Sequence, residues 1–259
     1  MQDYSSILYE VRDNVAKISL NRPKAANSLN NTLSSEFLDA VIRSEENSDV
    51  RALIITGTGR FFCAGADLKG FYSPSSELKT RVSLFHVAIG RIMRARLPVI
   101  AAVNGAAAGA GMGLACACDL VVVAESAKFT MAYSKIGLSP DGTTTYFLPR
   151  LVGVRRAIEL AYLNRVLSGR EAVEWGIATR VVPDRELETE VQTLAMQLAA
   201  GPTRAYATAK RLMHSGWLTP LETQVDSELR NISEMAGTED AREAIAAFAA
   251  KRAPVFRGR

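Results

Sequence analysis

The sequence predicts a layered α/β fold in which parallel strands alternate with helices. Strand-like apolar runs at residues 52–56 and 99–103 are separated by an amphipathic segment at 76–96. Strands that recur with a helix between them favour parallel pairing through crossover connections. In the second half of the chain the pattern becomes mostly helical. We therefore expect an α/β core at residues 1–195 and a C-terminal helical region at 196–259.

The composition is typical of a globular protein of the cytoplasm. The 259 residues are 48% hydrophobic and 22% charged, which is enough to bury a large core. Residues 1–6 lack the basic and apolar regions of a signal peptide. The longest apolar run, 99–118, is interrupted by Asn104 and several glycines, which argues against a membrane span. The dispersed net charge of +4 does not indicate a nucleic-acid partner.

The first part of the chain predicts a hairpin, a helix, a strand and a second helix. Residues 7–20 alternate apolar and polar side chains around Asp13 and Asn14, which predicts a β-hairpin. Asn31 begins a helix whose apolar stripe consists of Leu33, Phe37, Leu38, Val41 and Ile42. A buried strand at 52–56 follows, and the helix at 76–96 has one apolar side.

The rest of the chain continues with strands and then helices. Residues 99–103 predict a strand, and 107–118 predict a helix made of small residues. Ser168 and Glu171 have the spacing of a capping box that begins another helix. Further strands are predicted at 120–123 and 128–132, and further helices at 154–163 and 184–200, with two or three more before the C terminus.

Two segments of small residues indicate where chemistry takes place. Residues 62–69 and 103–113 each follow a strand-like run and contain glycine and alanine. Small side chains let a substrate approach the backbone, and N–H groups at a helix start have no partner within the helix. Two such donors directed at one point would form an oxyanion hole. One alternative is that the small residues only allow a helix to pack closely on a sheet. The other is a dinucleotide-binding GxGxxG motif, but Leu114 occupies the position of the third glycine of that motif.

The cysteines do not predict a metal site or a disulfide framework. The chain has three cysteines, an odd number, and they lack the spacing of zinc ligands: Cys63, Cys116 and Cys118. We expect small buried side chains in a reducing compartment, and no metal. Cys63 lies in one of the small-residue segments, but no histidine is near it in sequence to activate a thiol.

Several motifs, in their order and spacing, resemble the crotonase (enoyl-CoA hydratase/isomerase) superfamily over nearly the whole chain. They are Asn21-Arg-Pro23, residues 26–30, the two small-residue segments, Cys118-Asp119, residues 127–129, Gly176-Ile177 and residues 247–252. The resemblance implies a spiral of ββα units with a C-terminal helical trimerisation region. It also implies a homotrimer or dimer of trimers, a coenzyme A thioester as substrate, and no separate cofactor.

Carried over by position, the resemblance implies a set of site residues. The thioester carbonyl would lie between the backbone N–H groups of Ala66 and Ala110, which would stabilise an enolate oxygen. The implied binding residues for the rest of the thioester are Lys24, Ala25, Ala64, Asp67, Lys69 and Gly109. Lys251 of a neighbouring subunit would lie near the CoA phosphates.

The sequence departs from the family where a hydratase activates water. A typical hydratase uses two glutamates, and the matching positions here hold Gly113 and Tyr133. Neither side chain is a carboxylate acid or base, so we expect ordinary hydration to be absent or very slow. Tyr133 and Phe85 are instead expected to line the acyl pocket.

Asp141 is the candidate acid/base. Residues 129–141 resemble the isomerases of aromatic acid catabolism, and Asp141 matches their active-site aspartate. One aspartate suits a Δ3–Δ2 isomerisation, in which a proton leaves one carbon and returns to another. The alternative is that Asp141 caps a helix that begins at Gly142 and Thr143.

His86 supports a competing interpretation. It matches the histidine base of the 4-chlorobenzoyl-CoA dehalogenases, in which the aspartate attacks the aromatic ring and the histidine activates water. Tyr133 departs from the tryptophan of those enzymes. His86 would otherwise be a core or rim residue.

Two non-enzymatic alternatives remain open at this stage. A scaffold that has lost catalysis would bind CoA without turnover of any thioester. An RNA-binding protein of this fold would use a basic face on the helix at 76–96, which carries Arg81, Arg91, Arg94 and Arg96.

Overall fold

The computed structural model describes residues 4–69 and 75–259 of the chain. Within them the strands are β1 (Ile7–Arg12), β2 (Val15–Leu20), β3 (Ala52–Gly57), β4 (Phe61–Cys63), β5 (Val99–Val103), β6 (Ala106–Ala108), β7 (Leu120–Ala124), β8 (Lys128–Thr130), β9 (Leu167–Ser168) and β10 (Arg180–Val182). The helices are α1 (Asn31–Glu46), α2 (Ser75–Arg94), α3 (Ala110–Ala117), α4 (Thr144–Val152), α5 (Val154–Leu163), α6 (Gly169–Glu174), α7 (Leu187–Ala199), α8 (Thr203–Ser215), α9 (Leu221–Ala236) and α10 (Glu239–Ala249).

The strands form two sheets, and from β3 to β8 successive strands alternate between them. The larger has the order β1-β2-β3-β5-β7-β10, and the smaller has the order β4-β6-β8-β9. Each of three successive units places one strand in the larger sheet and one in the smaller before a helix: β3-β4-α2, β5-β6-α3 and β7-β8-α4. This repeat is the predicted spiral of ββα units, and the α/β fold class is confirmed.

The predicted hairpin forms the edge of the larger sheet. β1 and β2 pair antiparallel, with Arg12 opposite Val15. Asp13 and Asn14 between them have φ values of 50° and 62°, the left-handed pair that a two-residue hairpin turn needs. Asn30 caps the following helix, because its side chain accepts from the Leu33 N–H at 2.9 Å. The remaining strand pairs of this sheet are parallel.

The predicted helix at 107–118 is wrong at its start. Residues 106–108 form β6, which pairs with β4 and β8, and α3 begins only at Ala110. Gly109 separates the two elements with φ 53° and ψ −125°, a conformation that glycine adopts without strain. A run of small apolar residues fits a buried strand as well as a helix, so periodicity alone could not separate them.

The second half is helical, as predicted, and three helices follow α7. The capping box at Ser168 and Glu171 is confirmed, with both reciprocal hydrogen bonds present. The predicted division at residue 195 falls inside α7, which packs on β3 and β5. Lys210 of α8 ties this region to the core, because its ammonium donates to Asp119 Oδ2 at 2.8 Å and to Ile92 O at 2.7 Å. No helix in residues 4–69 or 75–259 combines the length and apolarity needed to cross a bilayer.

Candidate active site

The two small-residue segments lie side by side because their strands are paired. β4 and β6 run parallel in the smaller sheet, so the residues that follow them emerge at the same edge. Gly65 has φ 90°, and a β-carbon there would lie 2.9 Å from Ala108 O and 3.4 Å from Ala110 N. Glycine at position 65 therefore lets the two segments approach within van der Waals distance.

The N–H groups of Ala66 and Ala110 are not used by the fold. Ala66 pairs with Leu29 in a parallel bridge whose hydrogen bonds use Gly65 O and Asp67 N, which leaves the Ala66 N–H outside the ladder. Ala110 is the first residue of α3, where the helix offers no acceptor. Across the described ranges, no protein acceptor pairs with either N–H. Two free backbone donors on adjacent segments are what an oxyanion site requires.

Tyr133 links Asp141 to these donors. The Tyr133 hydroxyl donates to Asp141 Oδ1 at 2.7 Å. Its ring lies against Gly109, where an added β-carbon would be 3.6 Å from Tyr133 Cζ. Burial, followed by the Asp141 charge, raises the pKa of Tyr133 well above its ordinary value, so the phenol stays a donor at neutral pH. Asp141, Tyr133 and the Gly109–Ala110 step therefore form one cluster.

The Asp141 side chain does not cap a helix. α4 begins at Thr144, and it is the backbone carbonyl of Asp141 that accepts from Thr144 N at 3.1 Å and Thr144 Oγ1 at 2.7 Å. The carboxylate accepts from Tyr133 instead. The prediction that the Asp141 side chain caps a helix is therefore wrong, and the carboxylate makes no capping hydrogen bond to α4.

The turn after Asp141 is strained and tightly packed. Gly142 and Thr143 have φ values of 59° and 62°. A β-branched residue in the left-handed region costs on the order of 1–3 kcal/mol and persists only where its surroundings enforce it. A β-carbon on Gly142 would lie 3.2 Å from Ala110 Cα and 3.4 Å from Phe85 Cε1. Asp141 is thereby held next to Ala110.

His86 reaches the same turn from α2. Its Nε2 accepts from the Gly142 N–H at 3.0 Å. This geometry requires a neutral imidazole whose Nε2 lone pair is engaged by the backbone. In the sequence analysis His86 was a candidate base. Its contact with the Gly142 backbone could not be inferred from the positions of the two residues in the sequence.

There is no room for a side chain at Gly113. A β-carbon at this position would overlap Gly142 O and lie 2.6 Å from Thr144 Oγ1. Backbone cannot move aside as a flexible side chain can, so a glutamate at 113 would displace the turn that carries Asp141. The absence of a carboxylate at position 113 therefore agrees with the close packing around that position.

Five of the predicted binding residues, Lys24, Ala25, Ala64, Asp67 and Lys69, lie on two neighbouring loops, and Gly109 lies between β6 and α3. Lys24 and Ala25 belong to a 3-10 turn, and Ala64 N donates to Ala26 O in the next residue of that loop at 3.1 Å. Lys24 and Lys69 are exposed. Lys251 is exposed after α10, and its predicted contact with a neighbouring subunit stays a prediction.

Asp67 is engaged by Arg22, a residue to which the sequence assigned no role. The Arg22 guanidinium donates to Asp67 Oδ2 at 2.8 Å. Burial acts to raise the pKa of Asp67, but the Arg22 guanidinium and the Lys69 N–H outweigh it and lower that pKa. Arg22 stands in the Asn21-Arg-Pro23 motif, which was the available signal. The pair joins the two loops that are predicted to bind CoA.

The Cys63 thiol is unsuited to act as a nucleophile, and two arginines of the RNA-binding alternative already have partners within the protein. Burial raises the pKa of Cys63 to about 12, so its thiol is protonated at neutral pH. On the proposed RNA-binding face, Arg96 donates to Glu45 O and Asn47 O, and Arg91 is paired with Glu45.

A large cavity lined by described residues lies away from this site. It has a volume of about 1340 Å³ and lies beside β1, β2 and α7. None of the predicted site residues lines it. Its Lys17 ammonium is already paired with Glu188 and Glu10 at 3.0 and 3.5 Å.

Comparison with known proteins agrees with the fold. A sequence model described as enoyl-CoA hydratase/isomerase matches residues 10–259. A solved enoyl-CoA hydratase from Bacillus anthracis superposes with a TM-score of 0.94 at 35% identity, over 98% of this chain and 100% of that one.

Three curated relatives carry different activities in their names. A probable enoyl-CoA hydratase of Rhodobacter capsulatus is 39% identical over 99% of both chains. The 1,2-epoxyphenylacetyl-CoA isomerase of Escherichia coli is 41% identical over 98% of both. A 4-chlorobenzoyl coenzyme A dehalogenase of Arthrobacter is 36% identical over 95% of this chain and 91% of that protein.

The two-sheet spiral with paired backbone donors defines a protein of the crotonase fold. The chain belongs to the enoyl-CoA hydratase/isomerase family, and it is an acyl-CoA enzyme of that family.

Proposed function

We propose that the chain is an enoyl-CoA isomerase that moves a double bond from the Δ3 to the Δ2 position. The Asp141 carboxylate takes a proton from C2 of the thioester, and the electrons of that C–H bond move into a dienolate. The N–H groups of Ala66 and Ala110 donate to the enolate oxygen. Asp141 then returns the proton to C4, which leaves the double bond between C2 and C3 and restores the carboxylate.

The observation that carries this proposal is the position of the Asp141 carboxylate. It is bonded to Tyr133, whose ring lies on Gly109, and the next residue is packed against Ala110. A base on a turn that packs against Ala110, whose N–H is a free donor, suits removal of a proton next to a carbonyl. The 41% identity to the E. coli 1,2-epoxyphenylacetyl-CoA isomerase supports isomerase chemistry.

Hydration is disfavoured by the same geometry. Adding water across a double bond requires a group that activates the water and another that protonates the carbon. Position 113 has no space for a carboxylate, and Tyr133 is a protonated phenol bonded to Asp141. We expect hydration of 2-enoyl thioesters to be at least about a hundredfold slower than isomerisation of 3-enoyl thioesters.

A panel of thioesters tests the proposal. Separate assays of 3-enoyl, 2-enoyl and 4-halobenzoyl-CoA would record isomer, hydrate and halide. Conversion of 3-enoyl-CoA as the main activity supports the isomerase. Hydrate or halide as the main product overturns it, and CoA binding without any turnover would identify a non-catalytic scaffold.

Hydrolytic dehalogenation is the second candidate, favoured by the place of His86 at the Asp141 turn and by the Arthrobacter relative. In that reaction the Asp141 carboxylate attacks the ring carbon that carries the halogen, and halide leaves. Water activated by His86 then hydrolyses the aryl ester. His86→Gln would stop only this second step, so a trapped ester on Asp141, seen by mass spectrometry, would favour the dehalogenase.

Tyr133→Phe is expected to lower kcat about tenfold while leaving the KM for the thioester within about twofold. The reason is that the variant keeps the ring against Gly109 but removes the hydroxyl that fixes the Asp141 carboxylate, a bond to a charged group. Steady-state kinetics with 3-enoyl-CoA measures the effect. Tyr9→Phe, which removes the hydroxyl of a tyrosine at the sheet edge, is the control, and an equal loss there would contradict the assignment.

The C-terminal region is proposed to join chains into a trimer or a dimer of trimers. Within the described residues α9 buries none of its side chains. Four apolar side chains lie on one side of it and are more than half exposed: Leu221, Val225, Leu229 and Ile232. An exposed apolar stripe of this kind marks an interaction surface. Lys251, just beyond α10, would thereby come near the CoA site of a neighbour.

Leu229→Glu is expected to convert the assembly to a species near the 28.0 kDa of one chain, because it places a charge in the apolar stripe. Size-exclusion chromatography with light scattering measures the mass. Thr223→Glu adds the same charge on the opposite side of α9 and should leave the mass unchanged. An unchanged mass for Leu229→Glu would exclude the stripe as the interface.

A further inference from the structure

We propose that His86 is a positioning residue that fixes the turn carrying Asp141, and that it acts as a hydrogen-bond acceptor rather than as a base. The proposal rests on the proposed function, because it assigns Asp141 the acid/base role. It is carried by one contact, from the Gly142 N–H to His86 Nε2 at 3.0 Å, and by the backbone conformation that this contact holds.

The Gly142 N–H needs a partner from outside its own turn. Gly142 is buried, and a buried N–H without an acceptor is costly. The neighbouring bonds do not supply one: Asp141 O accepts from Thr144, and Gly142 O accepts from Thr143 Oγ1 at 2.6 Å. His86 alone, among the described residues, accepts from this N–H.

The conformation held in this way is one that the chain would otherwise leave. Both Gly142 and Thr143 are in the left-handed region, and threonine rarely adopts it. Phe85, the neighbour of His86 on α2, also reaches this turn, because a β-carbon on Gly142 would lie 3.4 Å from its Cε1. α2 therefore fixes the turn twice, by a ring contact and by a hydrogen bond. Loss of the hydrogen bond would release the turn and with it the direction of the Asp141 carboxylate.

The engaged lone pair argues against a role as base. A base must accept a proton through an unshared nitrogen lone pair, and the Nε2 lone pair already receives the Gly142 N–H. Proton uptake at Nε2 would place two donors against each other and break the contact. Glu45, Arg91 and Arg94 line the shallow groove on which His86 lies, and they belong to α1 and α2.

The test compares two substitutions that differ in one property. His86→Ala removes the acceptor, whereas the side-chain carbonyl of His86→Gln can accept the same N–H. We expect His86→Ala to lower kcat for isomerisation about 10- to 100-fold, because small misplacement of a reacting group has effects of this size, with KM within about twofold. His86→Gln is expected to restore kcat to within about threefold of the wild type. Val87→Ala, on the same helix and groove, is the matched control.

Amide hydrogen exchange gives a readout that does not depend on activity. Exchange at Gly142, followed by mass spectrometry of peptides that span residues 141–144, should be faster in His86→Ala and unchanged in His86→Gln and Val87→Ala. Equal kcat losses in both His86 variants, with Gly142 still protected in His86→Gln, would overturn the positioning role in favour of a base. Unchanged exchange in His86→Ala would also overturn it. If Asp141→Asn kept full rate, the proposed function would fail while the exchange experiment still tested the contact.

Discussion

Asp141→Asn is expected to lower kcat for the isomerisation of 3-enoyl-CoA by about a hundredfold to ten-thousandfold, the range attributed to a general acid/base. Asparagine has nearly the same shape, and its side-chain oxygen can still accept from the Tyr133 hydroxyl. It cannot take a proton from carbon at neutral pH. The binding of thioester and of free CoA should change by less than about threefold, since no predicted CoA contact involves Asp141. Steady-state kinetics and calorimetric titration measure the two quantities.

Asp13→Asn is the matched control for this variant. The Asp13 carboxylate is exposed in the hairpin turn, where it pairs with the Arg12 guanidinium at 3.3 Å. The same change of chemistry there should leave both kcat and binding as they are. A wild-type kcat in Asp141→Asn would remove the isomerase mechanism, because the return of the proton to C4 would then need another group.

Local patterns predicted most of the fold because their causes are local. The hairpin follows from Asp13 and Asn14, which tolerate the left-handed turn, and the capping box follows from Ser168 and Glu171 three residues apart. The predicted start of α3 was wrong because the interaction that decides where the helix begins is not local. Whether residues 106–108 form a strand depends on pairing with β4 and β8, which lie far away in sequence.

The site divides in the same way. The two small-residue segments could be proposed from the residues themselves, whereas the choice of Ala66, Ala110 and Asp141 within them and beyond them came from the resemblance. The Gly142–His86 bond joins residues 56 positions apart, and its donor is backbone, which no residue type encodes. Arg22 was visible only as part of a motif, since its partner Asp67 is brought close by the fold.

Ala110→Pro is expected to lower kcat by about a hundredfold to a thousandfold, equivalent to about 2.7–4 kcal/mol of transition-state stabilisation. Proline has no N–H, so the substitution deletes one donor of the proposed oxyanion hole and puts a ring carbon in its place. The backbone accommodates it, because Ala110 is the first residue of α3, where proline is favoured. Gly109 before it has φ 53° and ψ −125°, outside the α region that a following proline disfavours.

Val154→Pro controls for the effect of proline on folding. Val154 is also the first residue of a helix and also follows a glycine with positive φ, but none of the predicted site residues belongs to its helix α5. Both variants should keep the wild-type melting temperature within a few degrees, and both should bind free CoA, because the predicted CoA-binding residues Lys24, Ala25, Ala64 and Lys69 lie on other loops. Only Ala110→Pro should lose turnover. If it isomerised 3-enoyl-CoA at the wild-type rate, the enolate oxygen would have to be stabilised without the Ala110 N–H, and the convergence of the two small-residue segments would be a matter of packing alone.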